Sequence, residues 1–294
     1  MSRTSRIVVL GDLNLDVHAR EPSNLAPGEE ARDLVRVTAG GSAGTFARIA
    51  AARGASVRFL GCVGTDLVGD LLIRSLGDAG VEAIVQRIDR PSGVILAIQQ
   101  GSERTMVCSR GANDGIRADR IDDSVFEGAD HLHVSGYAFL SSAQRPAVEH
   151  AVVLARKRGL SVSVDPPPAN LIRNHGVEAF LGSLPAGAWL FPNRTEGEIL
   201  AGASEPAAIV GRLAARSDVG ALTLGARGSL AWAGETRHAQ SAQPLDSVDT
   251  TGAGDAFAGA FVAAYLKMRD VAWANRTACD AARTHLQIFG RPIP

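Results

Sequence analysis

Short apolar runs alternate with helix-period stripes along most of this chain. Residues 7–10 read Ile-Val-Val-Leu, a continuous run of strand length that suits burial on both faces of a parallel sheet. Similar runs recur at 57–63, 161–164 and 221–224. Between them lie stripes at spacings of three and four: Phe46, Ile49 and Ala50, then Leu67, Leu71, Leu72 and Leu76 before Gly77 and Gly80. Residues 143–158 form an amphipathic pattern, 255–266 are apolar on all sides, and 271–287 close the chain as a surface helix. Alternating β and α units predict an α/β fold with a mostly parallel central sheet and helices on both faces, a three-layer α/β/α core.

Two stretches break this alternation. Residues 93–100 and 104–109 flank Gly101-Ser102-Glu103 and predict a β-hairpin. Residues 21–37 begin as a polar loop with Pro22, Pro27 and Gly28, then alternate at Leu34, Val35 and Val37. Together the segments near 13–39 and 92–110 predict a small β-lid on a single domain spanning 1–294. Lids keep water away from a transferring group. Exposed strand edges carrying Val94, Leu96 and Ile98 need covering, which predicts a homodimer through the lid.

The chemistry concentrates at Asp249-Thr250-Thr251-Gly252-Ala253-Gly254-Asp255, directly before the apolar 255–266 run. Glycines at 252 and 254 permit a backbone path that β-carbons would obstruct. A helix start carries unpaired N–H groups and partial positive charge, so residues 252–255 form an anion cradle with Asp255 in its mouth. An ordinary glycine turn capping a helix is the bland alternative. Asn14 and Asp16 share one face of an extended segment, where an amide and a carboxylate can bind neighbouring hydroxyls; a solvated edge strand would look the same. Gly40 and Gly41 open a helix and let a ligand approach the backbone. Arg110 either meets the substrate or forms a surface salt bridge. His131 and His133 share a strand face, but no third ligand follows at a recognisable spacing, so they read as histidines on a partly polar strand rather than a zinc pair.

Composition narrows the field. The chain has 294 residues, a net charge of −1 and 46% hydrophobic residues, enough for a sizeable core. Near-neutral charge without a basic block argues against nucleic acid. The apolar runs fall short of a membrane span. Three dispersed cysteines, Cys62, Cys108 and Cys279, form neither a metal spacing nor a disulfide framework, and point to a reducing cytoplasm.

The whole 249–261 stretch closely resembles the C-terminal signature of the ribokinase-like (PfkB) carbohydrate kinases, and the glycines from Gly40 to Gly64 resemble the N-terminal one. The resemblance implies the ribokinase-like fold and ATP-dependent phosphorylation of a hydroxymethyl group on a small sugar. It implies Asp255 as catalytic base, with Gly252, Ala253 and Gly254 as the anion hole. Asn14, Asp16, Gly40, Gly41, Thr45 and Arg110 then meet the substrate, with Thr45 standing where the family usually has asparagine. Ser135-Gly136-Tyr137 stands where ribokinases proper carry a sugar-contacting acid, so the resemblance does not single out ribose among small sugars. Asn193 and Glu196 match the family's magnesium and phosphate motif, an amide and a carboxylate that suit a hard cation held partly through water. Thr223, Gly225 and Gly228 match the turn along ATP, and Asn275 the adenine contact. Asp249 and Thr251 resemble a loop that holds potassium in several members. Two alternatives stay open: a nucleoside kinase on the same fold, and a sugar or nucleotide sensor without catalysis.

Overall fold

A computed structural model describes residues 4–20, 30, 32, 34–100, 103–245 and 249–289. The expected turn at 101–102, most of the 21–33 loop and the chain end at Gly290 lie outside the described residues.

The strands are β1 (Arg6–Leu10), β2 (Asn14–Arg20), β3 (Val35–Gly40), β4 (Ser56–Gly64), β5 (Val81–Ile88), β6 (Gly93–Gln100), β7 (Glu103–Ser109), β8 (His131–Ser135), β9 (Ser161–Asp165), β10 (Trp189–Leu190), β11 (Val219–Thr223), β12 (Ser229–Ala233) and β13 (Thr236–Gln240). The helices are α1 (Ser42–Ala52), α2 (Leu67–Asp78), α3 (Gly136–Leu140), α4 (Arg145–Lys157), α5 (Ala169–His175), α6 (Val177–Ser183), α7 (Arg194–Ala201), α8 (Pro206–Ala214), α9 (Ala253–Met268) and α10 (Val271–Phe289).

A nine-stranded sheet runs in the order β13-β12-β11-β10-β9-β8-β1-β4-β5. It is parallel from β11 to β5, and β12 and β13 join antiparallel. Strand β1 lies inside the sheet between β8 and β4, and its period-two alternation sends neighbouring residues to opposite faces. Val8 and Leu10 pack into one core with Ala147, Val148 and Leu154 of α4, Phe180 of α6 and Leu213 of α8. Ile7 and Val9 enter the other core with Phe46 of α1, Leu72 and Leu76 of α2, and the Phe257–Ala264 stretch of α9. This is the expected three-layer core.

Helix α9 is apolar all round because it is buried between the sheet, α1 and α10. Its small residues set how closely it crosses α1. A methyl group on Gly259 would lie 2.6 Å from the carbonyl oxygen of Phe46. Gly259→Ala is therefore expected to destabilise the protein by about 1–3 kcal/mol through overpacking. A denaturant titration against wild type checks this, with a lower midpoint and an unchanged slope.

A second sheet, in the order β3-β2-β6-β7, forms the expected lid. It is continuous with the core rather than appended to it. Residues 11–13 lead from the end of β1 into β2, and β3 ends at the Gly40–Gly41 entry to α1. One lid face is an apolar row in register, Val37 opposite Val17, Val17 opposite Leu96, and Leu96 opposite Val107. The other face carries Asn14, Asp16 and His18.

Candidate active site

The candidate residues gather where β1, β8, β9, β10 and β11 end, the usual place for ligands in an open parallel sheet. Helix α9 starts here. Gly252 is its N-cap with a φ of 75°, a conformation that favours glycine, and a β-carbon there would meet His285 Nε2 at 2.7 Å. His285 Nε2 also holds the carbonyl of Thr251 at 3.0 Å, so α10 fixes the turn from behind. Gly254 differs: a β-carbon on it would meet nothing within 4 Å. Gly254 thus fronts open space at a helix start, which is where an anion cradle needs room. Asp255 follows in the first turn.

Asp255 does not stand alone. Asp165, at the end of β9, hydrogen-bonds to it, and burial with the charges of Asp255 and Glu196 pushes the Asp165 carboxyl well up. Burial also raises Glu196, to about 7, with Asp255 adding to the shift and hydrogen bonds from Asn193 opposing it. Sequence reasoning took Asp165 only as the start of a rigid proline exit. Its signal was available: an acid ending an apolar strand in a fold whose strand ends line the site.

Asn193 and Glu196 form a capping box at α7. Asn193 Oδ1 accepts from the Glu196 amide at 3.0 Å, and the Glu196 carboxylate accepts from the Asn193 amide at 2.9 Å and from its Nδ2 at 2.6 Å. The motif therefore has a structural job as well as its expected one. Three crowded acids, Asp165, Glu196 and Asp255, suit a divalent cation that would relieve their repulsion. Among the described residues no group of three His, Cys, Asp or Glu is set to hold a metal directly. That donor set fits magnesium bound through waters and substrate phosphates. Thr223 bridges to Asn193 across the extended β10–β11 pair, which joins the expected ATP turn to this cluster. Gly225 is exposed in that turn. Gly228 has a φ of 94°, and a β-carbon there would overlap the Gln240 carbonyl.

On the lid side, Asn14 lies in register with Gly40 on one neighbour and Gly93 on the other. Both glycines make room: side chains there would strike the Asp16 carboxylate and the Asn14 amide. Asn113, buried, donates from Nδ2 to Asn14 Oδ1 at 2.8 Å, which leaves the Asn14 NH2 as the outward group. Asp16 accepts from the Gly41 amide, and its Oδ1 is buried with no hydrogen-bond partner among the described residues. Burial raises its carboxyl to about 6; His18 and Arg48 oppose this and Asp255 adds to it. An orphaned carboxylate oxygen fits a hydroxyl donor. Asp16 and Asp255 are electrostatic neighbours.

Thr45 is buried, and its methyl group packs towards Gly252. Arg48, one turn on, donates to its hydroxyl at 3.4 Å and to the Ala39 carbonyl at 2.8 Å. Arg48 is an electrostatic neighbour of both Asp16 and Asp255, and burial lowers its pKa. It drew no attention in the sequence because a lone arginine in a helix carries no pattern.

Two expected contacts are arranged differently. Arg110 spends four N–H contacts on Asp12, Asp114 and Gln144, at 2.9–3.2 Å, so the salt-bridge alternative is the one found. Asn275 has no exposed surface: it accepts from Ser229 Oγ at 2.6 Å and donates to the His238 carbonyl at 3.1 Å. Its amide braces α10 against β12 and β13, and a side chain so enclosed does not present itself to a base.

His131 and His133 are buried and share Ser163 Oγ at 2.7 and 2.8 Å, and His133 stacks on Phe46 at 3.5 Å. Burial holds both neutral, His131 at about 3. They belong to the core.

Both oxygens of the Asp249 carboxylate are engaged. Oδ1 accepts from the Thr251 amide at 2.9 Å and from the Thr251 hydroxyl. Oδ2 faces His18 Nδ1 at 3.3 Å and Arg36 Nη2 at 4.0 Å.

A lidded α/β core with hydroxyl-binding groups on the lid, a helix start behind a glycine turn and a carboxylate between them defines a phosphotransferase acting on a polyhydroxylated acceptor. Known proteins agree. The family model described as pfkB family carbohydrate kinase matches residues 4–291. A ribokinase of Haemophilus influenzae is 27% identical over 89% of this chain and 85% of its own. An ATP-dependent ribose-1-phosphate kinase of Halopiger xanaduensis is 30% identical over 90% of this chain and 86% of its own. The crystal structure of a probable sugar kinase from Rhizobium etli superposes with a TM-score of 0.86 at 23% identity, over 100% of this chain and 96% of that one. The chain belongs to the pfkB family of carbohydrate kinases.

Proposed function

We propose that this protein transfers the γ-phosphoryl group of ATP to a hydroxymethyl group of a small sugar. The observation that supports it most is that Asp16, with its orphaned oxygen, and Asp255, beside the open Gly254 turn, neighbour each other beneath the lid. Asn14, Asp16, the Gly40–Gly41 backbone and Thr45 hold the sugar. Asp255 accepts the proton as the sugar oxygen bonds to phosphorus and the bond to the bridging oxygen of ADP breaks. Amides of Gly252, Ala253 and Gly254 stabilise the charge on the moving group. Thr223, Gly225 and Gly228 lie along ATP, and Asn193 and Glu196 hold magnesium through water. Magnesium, when bound, neutralises phosphate charge. The apolar outer lid row, with Val37 and Val107 more than half exposed, supports a dimer closed over that face. No described helix is long and apolar enough to cross a membrane, and the three free thiols suit a reducing cytoplasm.

The test is ATP consumption with magnesium across pentoses, hexoses, keto-acid sugars and nucleosides. Turnover of one sugar supports the reading. Preferred turnover of a nucleoside replaces the acceptor class. Thermal stabilisation by a sugar without turnover of any compound would leave a sensor. With the active sugar, Asp16→Asn should raise KM at least about 10-fold, since a buried hydroxyl contact to a charged group is worth about 1.5–3 kcal/mol. The wild-type KM should rise as pH falls below about 6, where Asp16 takes up its proton. The variant's KM should stay flat there.

A further inference from the structure

The Asp249 loop matches a monovalent-cation site in outline, yet both oxygens of its carboxylate already face partners within the chain. A carboxylate offers about four lone-pair positions. Two on Oδ1 go to the Thr251 amide and hydroxyl, and Oδ2 faces His18 and Arg36. Those last two groups come from the lid. His18 and Arg36 stand directly opposite each other in the β2–β3 register, so one cross-strand pair delivers both to the same oxygen. Each is braced. His18 Nε2 meets Thr38 Oγ1 at 3.3 Å, and Arg36 Nη2 donates to the Phe289 carbonyl at the end of α10. Arg36 thus sets a guanidinium beside Asp249. Asp249 in turn starts the loop whose Thr250 and Thr251 precede the anion cradle.

We propose that His18 and Arg36 of the lid take the place of the monovalent cation at Asp249. They act as positioning residues: the lid itself sets the charge and shape of the anion turn, and phosphoryl transfer needs no potassium. This rests on the kinase reading above, but part of its test does not. Wild-type protein with MgADP should unfold at the same temperature in potassium chloride and in tetramethylammonium chloride of equal ionic strength. In the His18→Asn/Arg36→Gln double variant the carboxylate oxygen is released, and potassium should raise the unfolding temperature by mass action. In turnover, wild type should be indifferent to the two salts, and the double variant should be activated by potassium at least about fivefold. Arg36→Gln alone, at a partly exposed position, serves where the double variant does not fold. Potassium stabilising or activating the wild type would overturn the proposal. So would a folded variant that ignores potassium. Absence of turnover with every acceptor would count against the kinase reading alone, because the unfolding comparison would still decide the potassium question.

Discussion

Asp255→Asn is expected to lower kcat by at least about 10²-fold while ATP affinity stays near wild type. The exchange keeps the shape of the side chain and the start of α9, so the anion turn survives. It removes the carboxylate proposed to take the acceptor's proton beside Asp16. In a loose phosphoryl-transfer transition state the nucleophile is barely bonded, so its proton leaves late. The variant should also be at least as stable as wild type. Asp255 pushes up the carboxyls of Asp165, Glu196 and Asp16, and neutralising it relieves that repulsion. Steady-state kinetics and a thermal melt on one preparation measure both effects. Unchanged turnover would end the assignment of the base.

Gly254→Val is expected to cost about 10²–10³ in kcat with little change in sugar affinity. The two turn glycines answer different needs, which makes this substitution informative. Gly252 is confined by its positive φ and by His285, so a side chain there disturbs the fold. Gly254 has open space in front of it, and helix geometry at this position tolerates a side chain. Valine should therefore leave the fold intact while its branches fill the room needed by the transferring phosphoryl group. Gly254→Ala should give an intermediate loss. Kinetics with near-wild-type activity in the valine variant would show that the phosphoryl group does not pass over Gly254.

Much of this was legible in the chain because it is local. The 249–255 turn, the Asn14–Asp16 pair and the lid hairpin each lie within a few residues, and period and turn chemistry reveal them. What stayed hidden depends on strand order. Asp165 meets Asp255 only because β9 sits near the middle of the sheet and α9 is laid across its face. Arg110 finds Asp12 and Gln144 through the neighbouring ends of β1 and α4, and no spacing announces that network. Asn275 turns inward because Ser229 and His238 supply its partners, and a surface-helix pattern cannot show which way one amide points. Asn193 and Glu196 show the opposite limit: the motif was visible, but only geometry displays both its capping box and its place beside Asp165 and Asp255.

The order of the chain separates Asn14, Asp16 and Thr45 from Asp255. Asn14, Asp16 and Thr45 are made early, while α9 and α10 come last and supply much of the second core, including Phe257, Phe261 and Val271. Until those helices emerge from the ribosome, Trp189 and Phe191 lack Tyr265 and Phe261 as partners, and that side of the central sheet is covered only by α1 and α2. The nascent chain thus passes through a long interval as an adhesive half-sandwich, and chaperone protection during synthesis matters more for this protein than for one whose closing helices are translated first.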